Sequence, residues 1–385
     1  MIQFFALFVF LSLFGETVFI FSFHCIRIGV MQEKMNVTLS GGRNSSVLFA
    51  SDIKDLSAKL GSYGNNVMWV FDENSARLFK GLPERRIILE PGEQNKTMKN
   101  LEAIISRALS FGMARDSRFI GFGGGVVCDM TALAASLYMR GCQLTLVPTT
   151  LLAMVDASLG GKTAIDFEGG KNLIGSFYPA SDVIISIDTL RTLPDKEFKC
   201  GLGEVLKHAF LSDDISLFKY LLEHRDAILR KDKEELTDLI ELSLDVKRKY
   251  LEADPEETKG IRSFLNFGHT FAHALESSAL FSVSHGEAVA WGIGRALDAG
   301  VLAGITPPEL RDQGMELLKL YGYDTEMRVG RGDWLDFAEA MKKDKKKYAG
   351  KVQFVLVEDI GKPVLHPLES EIIQASAIQS VRYNV

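Results

Sequence analysis

Positive charge is in deficit: 44 Lys and Arg stand against 50 Asp and Glu, a net charge of -6. The chain therefore lacks the basic surplus that non-specific nucleic-acid binding needs, and no nucleic-acid partner is expected. Cysteine is scarce too. Cys25, Cys128, Cys142 and Cys200 include no CxxC pair. That excludes a structural zinc motif and a disulfide framework, and it fits a reducing, cytoplasmic home. No internal repeat and no low-complexity linker is present. A clean membrane span is also missing. The opening stretch MIQFFALFVFLSLFGETVFIFSF is interrupted by Glu16, which leaves less than the ~20 apolar residues of a span. It has no basic residue before Arg27, so it lacks the positive start of a secretory signal. Residues 1–30 are expected to be an apolar extension outside the fold, with Met31 or Met35 as the initiator. A signal peptide or a membrane anchor is the competing reading.

What remains is the balance of a globular protein, 46% hydrophobic and 24% charged, long enough for about two or three domains. From residue 36 to 190 short apolar strands alternate with helical stripes. Asn66 to Phe71, Arg86 to Leu89, Arg118 to Phe122 and Leu144 to Val147 read as strands. Lys96 to Phe111 and the small-residue run after Gly123-Gly124-Gly125, through Tyr138, read as helices. This alternation predicts a mostly parallel sheet with helices on both faces. From about 195 helices dominate: Asp213 to Arg230, Lys233 to Glu252, Leu265 to Leu280, Gly286 to Ala303 and Pro308 to Tyr321. A last strand is expected over Val352 to Val357.

Three segments carry chemistry. Gly123-Gly124-Gly125 lies between a strand and a helix, where glycines let backbone N–H groups approach a pyrophosphate at the helix start. The bland alternative is a tight turn. The segment VPTTLLAMVDASLGGKTAIDFEGGKNLIG ends like a P-loop at Gly160-Gly161-Lys162-Thr163. The glycine that a P-loop needs five residues before Gly161 is replaced by Asp156, so that reading fails. A loop bringing Lys162, Lys171 and Asn172 together would suit phosphate or carboxylate. Finally, His269 and His273 stand four apart on one helix face, His285 opens the next apolar helix, and Glu204 lies in GLGEVLKHAF. Such a set can hold a divalent metal and leave a position open.

GFGGGVVCDMTALAASLYMRG, VPTTLLAMVDASLGGKTAID, GGKNLIGSFY, GLGEVLKHAFL, GIRSFLNFGHTFAHALE and HGEAVAWGIG occur in this order. From about Asp72 to Gly361 the chain resembles the 3-dehydroquinate synthase family of sugar-phosphate cyclases. The resemblance implies an α/β N-terminal Rossmann-like domain at 31–190 that binds NAD. It implies an all-α C-terminal domain at 191–385, with one divalent metal, zinc or cobalt, in the cleft. It implies a homodimer with no membrane association. The implied substrate is 3-deoxy-D-arabino-heptulosonate 7-phosphate, and the products are 3-dehydroquinate and phosphate. The route is transient oxidation by NAD, phosphate elimination, re-reduction, ring opening and aldol closure.

By the same resemblance the metal ligands fall on Glu204, His269 and His285, and His273 becomes a proton-handling neighbour. Substrate contacts fall on Arg140, Asp156, Lys162, Asn172, Lys207, Lys247, Arg262 and Asn266, with Lys345 a further phosphate contact. NAD contacts fall on Asp72, Asn74, Glu93, Lys96, Gly124, Gly125, Val126, Asp129, Thr149, Thr150, Lys162, Lys171, Thr192 and Leu193. The chain departs from the family pattern at Cys128, Thr131-Ala132, Ala272, the FYPASDV segment and an extra residue in DPEETKGIR. None of these removes a charged position. Two alternatives stay open: a cyclase making a valiolone- or inosose-type ring, and a metal-dependent alcohol dehydrogenase that would release NADH.

Overall fold

The computed structural model describes residues 31–278, 283–330, 333–343 and 351–378, with the backbone of 12–13, 16–17 and 347–348. The reading of residues 1–30 as an extension outside the fold lies, apart from two short backbone stretches, outside the described residues.

Strand β3 (Val67–Asp72, VMWVFD) shows why this sequence makes a buried sheet. Its side chains alternate between faces. Met68 and Val70 join the core shared with the helical half, while Trp69 and Phe71 join a second core on the opposite face. Both faces are covered, so the strand is apolar throughout, as parallel strands under helices are. The other parallel strands are β2 (Arg43–Phe49), β4 (Arg86–Leu89), β5 (Arg118–Gly123), β6 (Gln143–Pro148) and β9 (Asp182–Ile185). Strand β1 (Gln32–Leu39) pairs antiparallel with β2 at one edge. The order is β1-β2-β9-β6-β5-β3-β4. Helices α1 (Ile53–Gly61), α2 (Glu73–Ala76), α3 (Met98–Ser110) and α4 (Gly125–Leu137) connect the strands.

The chain steps outward from β3 to β4, then returns past β3 to β5 and continues the other way to β6. The connections diverge between β3 and β5, opening a crevice beyond their carboxyl ends, where such sheets bind ligands. Asp72 ends β3, and the glycine turn Gly123–Gly125 follows β5.

The helical half contains α5 (Asp195–Leu211), α6 (Ser216–Glu223), α7 (Arg225–Leu229), α8 (Lys233–Ala253), α9 (His269–Ser277), α10 (His285–Leu302), α11 (Pro308–Leu320) and α12 (Trp334–Lys343). Helix α10 is its axis and packs against α5, α9, α11 and the last helix, α13 (Ser370–Ile378). The strand expected near Val352 is half of a hairpin, β10 (Lys351–Asp359) with β11 (Lys362–Pro367).

Three expectations need correction. The single helix expected over Asp213 to Arg230 is two, broken at His224, whose backbone (φ -107°, ψ 13°) leaves the helical region. The helix expected from Leu265 begins only at His269, because Gly268 adopts φ +80° and ends the preceding turn. The glycine-rich segment expected to be a loop is a hairpin, β7 (Lys162–Phe167) with β8 (Gly170–Phe177), irregular between Gly170 and Ile174. Among the described residues, no helix is long and apolar enough to cross a membrane.

Candidate active site

Glu204, His269 and His285 each offer one ligand atom, and these atoms lie within 4.8 Å of one another. Glycines make this convergence possible. A Cβ on Gly203 would sit 2.3 Å from the Gly286 carbonyl oxygen, so α5 touches α10 backbone to backbone, one residue from both Glu204 and His285. A Cβ on Gly292 would sit 2.2 Å from the Gly268 carbonyl oxygen, which draws the start of α9, and His269, onto α10 in the same way. Gly203→Ala should therefore push α5 off α10. The expected cost is about 1–3 kcal/mol of stability, the range for overpacking. Divalent-metal affinity should fall with it, as urea melts and a metal titration would show; unchanged values would mean the backbones separate without consequence.

The histidines are aimed alike. His269 turns Nδ1 toward the Phe267 carbonyl at 3.3 Å and Nε2 toward Glu204 Oε1 at 3.3 Å. His285 turns Nε2 toward the same oxygen at 3.2 Å, and its Nδ1 lies 3.6 Å from Glu276 Oε1. Each ring thus directs Nδ1 at an acceptor and Nε2 at a shared point, the orientation in which imidazoles ligate metal. Burial would raise the Glu204 carboxyl, but Lys207 and His269 outweigh it and hold the group well below its usual range. Burial also depresses His285, yet Glu204 and Glu276 reverse the effect and lift it to about 10. A proton on this ring meets the demand of two carboxylates for a cation, a demand that a divalent ion would also satisfy. His269, buried and facing Lys207 as well, is lowered to about 4. The donor set of one carboxylate and two imidazoles fits zinc or a similar ion. His273 stands outside this cluster, its ring centroid 5.4 Å from that of His269, so HxxxH does not act as a ligand pair.

Beside the cluster lies a cavity of about 550 Å³. Of the expected residues, Asp129, Asp156, Lys162, Asn172, Lys207, Lys247, Arg262, Asn266 and His269 line it. Lys207 and Lys247 are buried cations, each held by a carboxylate: Lys207 pairs with Glu204, and Lys247 with Asp156, whose backbone carbonyl it also reaches at 2.5 Å. Asp156 sits in a π-helical turn, Ala153–Ala157, a conformation concentrated at functional sites. Burial would raise its carboxyl, but Lys247 and Lys207 hold it below its usual range; burial in turn lowers Lys247. Arg262 donates to the Gly160 and Pro255 carbonyls at 3.0 Å each. Lys162 enters the cavity from β7 and pairs with Glu257.

The hairpin corrects one grouping. Lys162 and Asn172 line the cavity, but Lys171 pairs instead with Glu276 at 3.3 Å. Asn172 (φ +54°) accepts a hydrogen bond from Lys96 at 2.6 Å, and Lys96 pairs with Asp129 at 2.6 Å and Glu93 at 3.7 Å. Burial raises Asp129 to about 6 against the pull of Lys96. Most of the other residues assigned to NAD follow the carboxyl ends of the strands. Asp72 caps α2, which carries Asn74. Gly124 caps α4, whose first turn holds Gly125 and Val126. Thr149 and Thr150 follow β6; Thr192 and Leu193 close the turn after β9. Arg140 is exposed, at φ +63°, and does not line the cavity. Lys345 lies outside the described residues. Glu276 and Glu257 were missed. Glu276 had a signal, since it stands seven residues after His269 and three after His273, on the same helix face; Glu257, in the loop with the extra residue, had none.

One buried group behind the site sets acid sensitivity. His208 is fully buried, shares a 2.7 Å hydrogen bond with Ser243, and is lowered by burial and by Lys207 to about 3. The folded protein keeps the ring neutral, whereas the unfolded chain protonates an ordinary histidine below about pH 6.5. Its contribution is therefore intact above 6.5 and declines as pH falls from 6.5 toward 3. The slope is about 1.4 kcal/mol per pH unit at most. Between pH 7.5 and 5.5, His208→Asn should lose about 1 kcal/mol less stability than the parent in urea melts. Equal losses would rule out this origin.

A doubly covered sheet with a glycine turn at its crevice faces a Glu–His–His cluster and a cation-lined cavity. That layout defines a dinucleotide-type α/β fold joined to a helical layer that carries a centre suited to a divalent ion and an anionic ligand. The family models described as 3-dehydroquinate synthase N-terminal and C-terminal match residues 86–200 and 201–347. A 3-dehydroquinate synthase of Acidithiobacillus ferrooxidans is 39% identical over 305 residues, 78% of this chain and 82% of that protein. A bifunctional 3-dehydroquinate synthase/phosphatase of Fusobacterium nucleatum is 40% identical over 274 residues; the match takes in 71% of this chain but only 41% of that protein. Among solved structures, 2-deoxy-scyllo-inosose synthase complexed with carbaglucose-6-phosphate, NAD+ and Co2+ superposes with a TM-score of 0.78. It is 21% identical, over 89% of this chain and 99% of that one, a likeness of fold. The chain belongs to the 3-dehydroquinate synthase family.

Proposed function

We propose that this protein converts 3-deoxy-D-arabino-heptulosonate 7-phosphate to 3-dehydroquinate and phosphate, as a lyase that uses NAD and one divalent cation, zinc or cobalt. The observation that carries the reading is the convergence of Glu204, His269 and His285 beside a cavity lined by Lys162, Lys207, Lys247 and Arg262. Bound in the cleft, the dinucleotide would accept and return a hydride while the cation polarised a substrate hydroxyl.

The chain's own residues supply the rest. Lys162 and Arg262 offer charge to the phosphate and carboxylate, and Arg's planar fork suits either. Lys207 and Lys247, fixed by their carboxylates, hold hydroxyl oxygens in place, and Asn266 and Asn172 complete the orientation. Asp129, Lys96 and the glycine turn belong to the dinucleotide side; Glu204, His269 and His285 hold the cation. We read residues 31–190 and 191–385 as two domains meeting at this cleft. We place the enzyme in the cytoplasm, as a homodimer, for which exposed Leu137, Met139 and Phe177 around the Ser136–Ser176 hydroxyl contact offer apolar surface.

The test is phosphate release from the heptulosonate phosphate, with and without NAD and a chelator. Release that needs both, with the carbocycle formed and no net NADH, is the expected result. Net NADH without phosphate would mean an alcohol dehydrogenase, and inactivity on this substrate with turnover of another sugar phosphate would mean a sister cyclase.

A further inference from the structure

Glu276 has no place in the set of ligands and substrate contacts, yet its carboxylate lies against one of the ligands. It sits on α9, two helical turns beyond His269, mostly buried, with a side-chain exposure of 13%. Its Oε1 lies 3.6 Å from His285 Nδ1 and 3.3 Å from Lys171 Nζ. The opposite ring nitrogen of His285 faces Glu204. One imidazole is therefore gripped between two carboxylates on different helices. His269 has a backbone carbonyl on its Nδ1 side; His285 has Glu276 there instead.

We propose that Glu276 is the positioning residue for His285: its carboxylate accepts a hydrogen bond from Nδ1–H, which fixes the tautomer and presents Nε2 to the cation. The inference rests on the reading of Glu204, His269 and His285 as metal ligands. A carboxylate behind a ligating histidine makes the ring a better donor and stops it rotating. At 3.6 Å the pair must close by about half an ångström to form a full hydrogen bond. Lys171 steadies the same oxygen from hairpin β8, so the ring's support comes from both halves of the protein.

The experiment measures zinc affinity of the full-length, metal-stripped protein by competition with a chromophoric chelator, with no substrate present. Glu276→Ala should bind zinc about 10–100-fold more weakly, the usual effect of removing such a support. Glu276→Gln, which keeps an acceptor oxygen, should fall between the alanine variant and the parent. Cobalt loaded into each variant should show altered visible bands, a change that a merely structural role would not produce. If Glu276→Ala does not fold, the glutamine variant's zinc affinity and cobalt spectrum decide alone. Affinity and spectrum equal to the parent's overturn the proposal. A parent that binds no zinc overturns instead the metal reading beneath it.

Discussion

Replacing His285 by alanine is expected to abolish turnover while dinucleotide binding survives. His285 supplies one of three converging ligand atoms, and Glu204 and His269 alone would hold a divalent ion poorly. A bound cation is worth several kcal/mol to the chemistry it assists, so the loss should be about 10³-fold or more. The fold should tolerate the change. Glu204 keeps Lys207 and His269, and Glu276 keeps Lys171, so neither carboxylate is left without a cation. The glycine turn and Asp129 belong to the sheet and α4, remote in the chain from α10. An NAD titration of the variant, beside its phosphate-release rate, is the measurement. Loss of NAD binding as large as the loss of activity would sink the division between a nucleotide side and a metal side.

How much of this was legible beforehand depends on what each feature answers to. The parallel strands β3, β4, β5 and β6 were readable because a strand covered on both faces must be apolar throughout, and Val67–Asp72 is nearly so; β2, which opens on the polar run Arg43–Ser46, and the short β9 were not. The amphipathic α3 and α8 showed their stripes, and the observed bounds differ from the expected ones by a residue or two. Of the hairpin strands only β10, with its apolar run Val352–Val357, was readable. β1 is an edge strand with a mostly polar, exposed face, and β8 is exposed along most of its length, so neither carries a hydrophobic pattern.

For the site, residue types and spacing nominated Glu204, His269 and His285, and the family resemblance separated His273 from them. What brings the three together was invisible: Gly203 meets Gly286 between helices far apart in sequence, and Gly268 meets Gly292 between consecutive helices, a backbone approach that no local pattern shows. The support of Lys171 on Glu276 was hidden for the same reason, since the segment was expected to turn Lys171 toward Lys162.

The largest stability effect is expected far from the chemistry, on the other end of α10. Arg295 and Asp298 are both fully buried, 3.1 Å apart, and Arg311 reaches Asp298 at 2.8 Å. Arg295 also donates to the Thr325 carbonyl at 2.9 Å and the Ser376 carbonyl at 3.3 Å, which fastens α13 onto α10. Burial pulls this guanidinium down to about 10 even with Asp298 in place, and Arg328 and Arg311 add repulsion. Asp298→Ala would leave Arg295 buried among arginines, hydrogen-bonded only to carbonyl oxygens and with Glu326 as the remaining carboxylate nearby. Breaking a buried pair in this way costs about 3–5 kcal/mol. The double change Arg295→Met with Asp298→Leu should recover most of that, because the fully buried charge is gone and Arg311, which also loses Asp298, keeps Asp312. Urea melts of the three proteins, with the metal stripped, measure both differences. A loss under about 1 kcal/mol in Asp298→Ala would mean that the arginine finds water or another carboxylate. A double variant no better than the single would mean that the network's value lies in holding α13 at Ser376, and not in balancing its own charge.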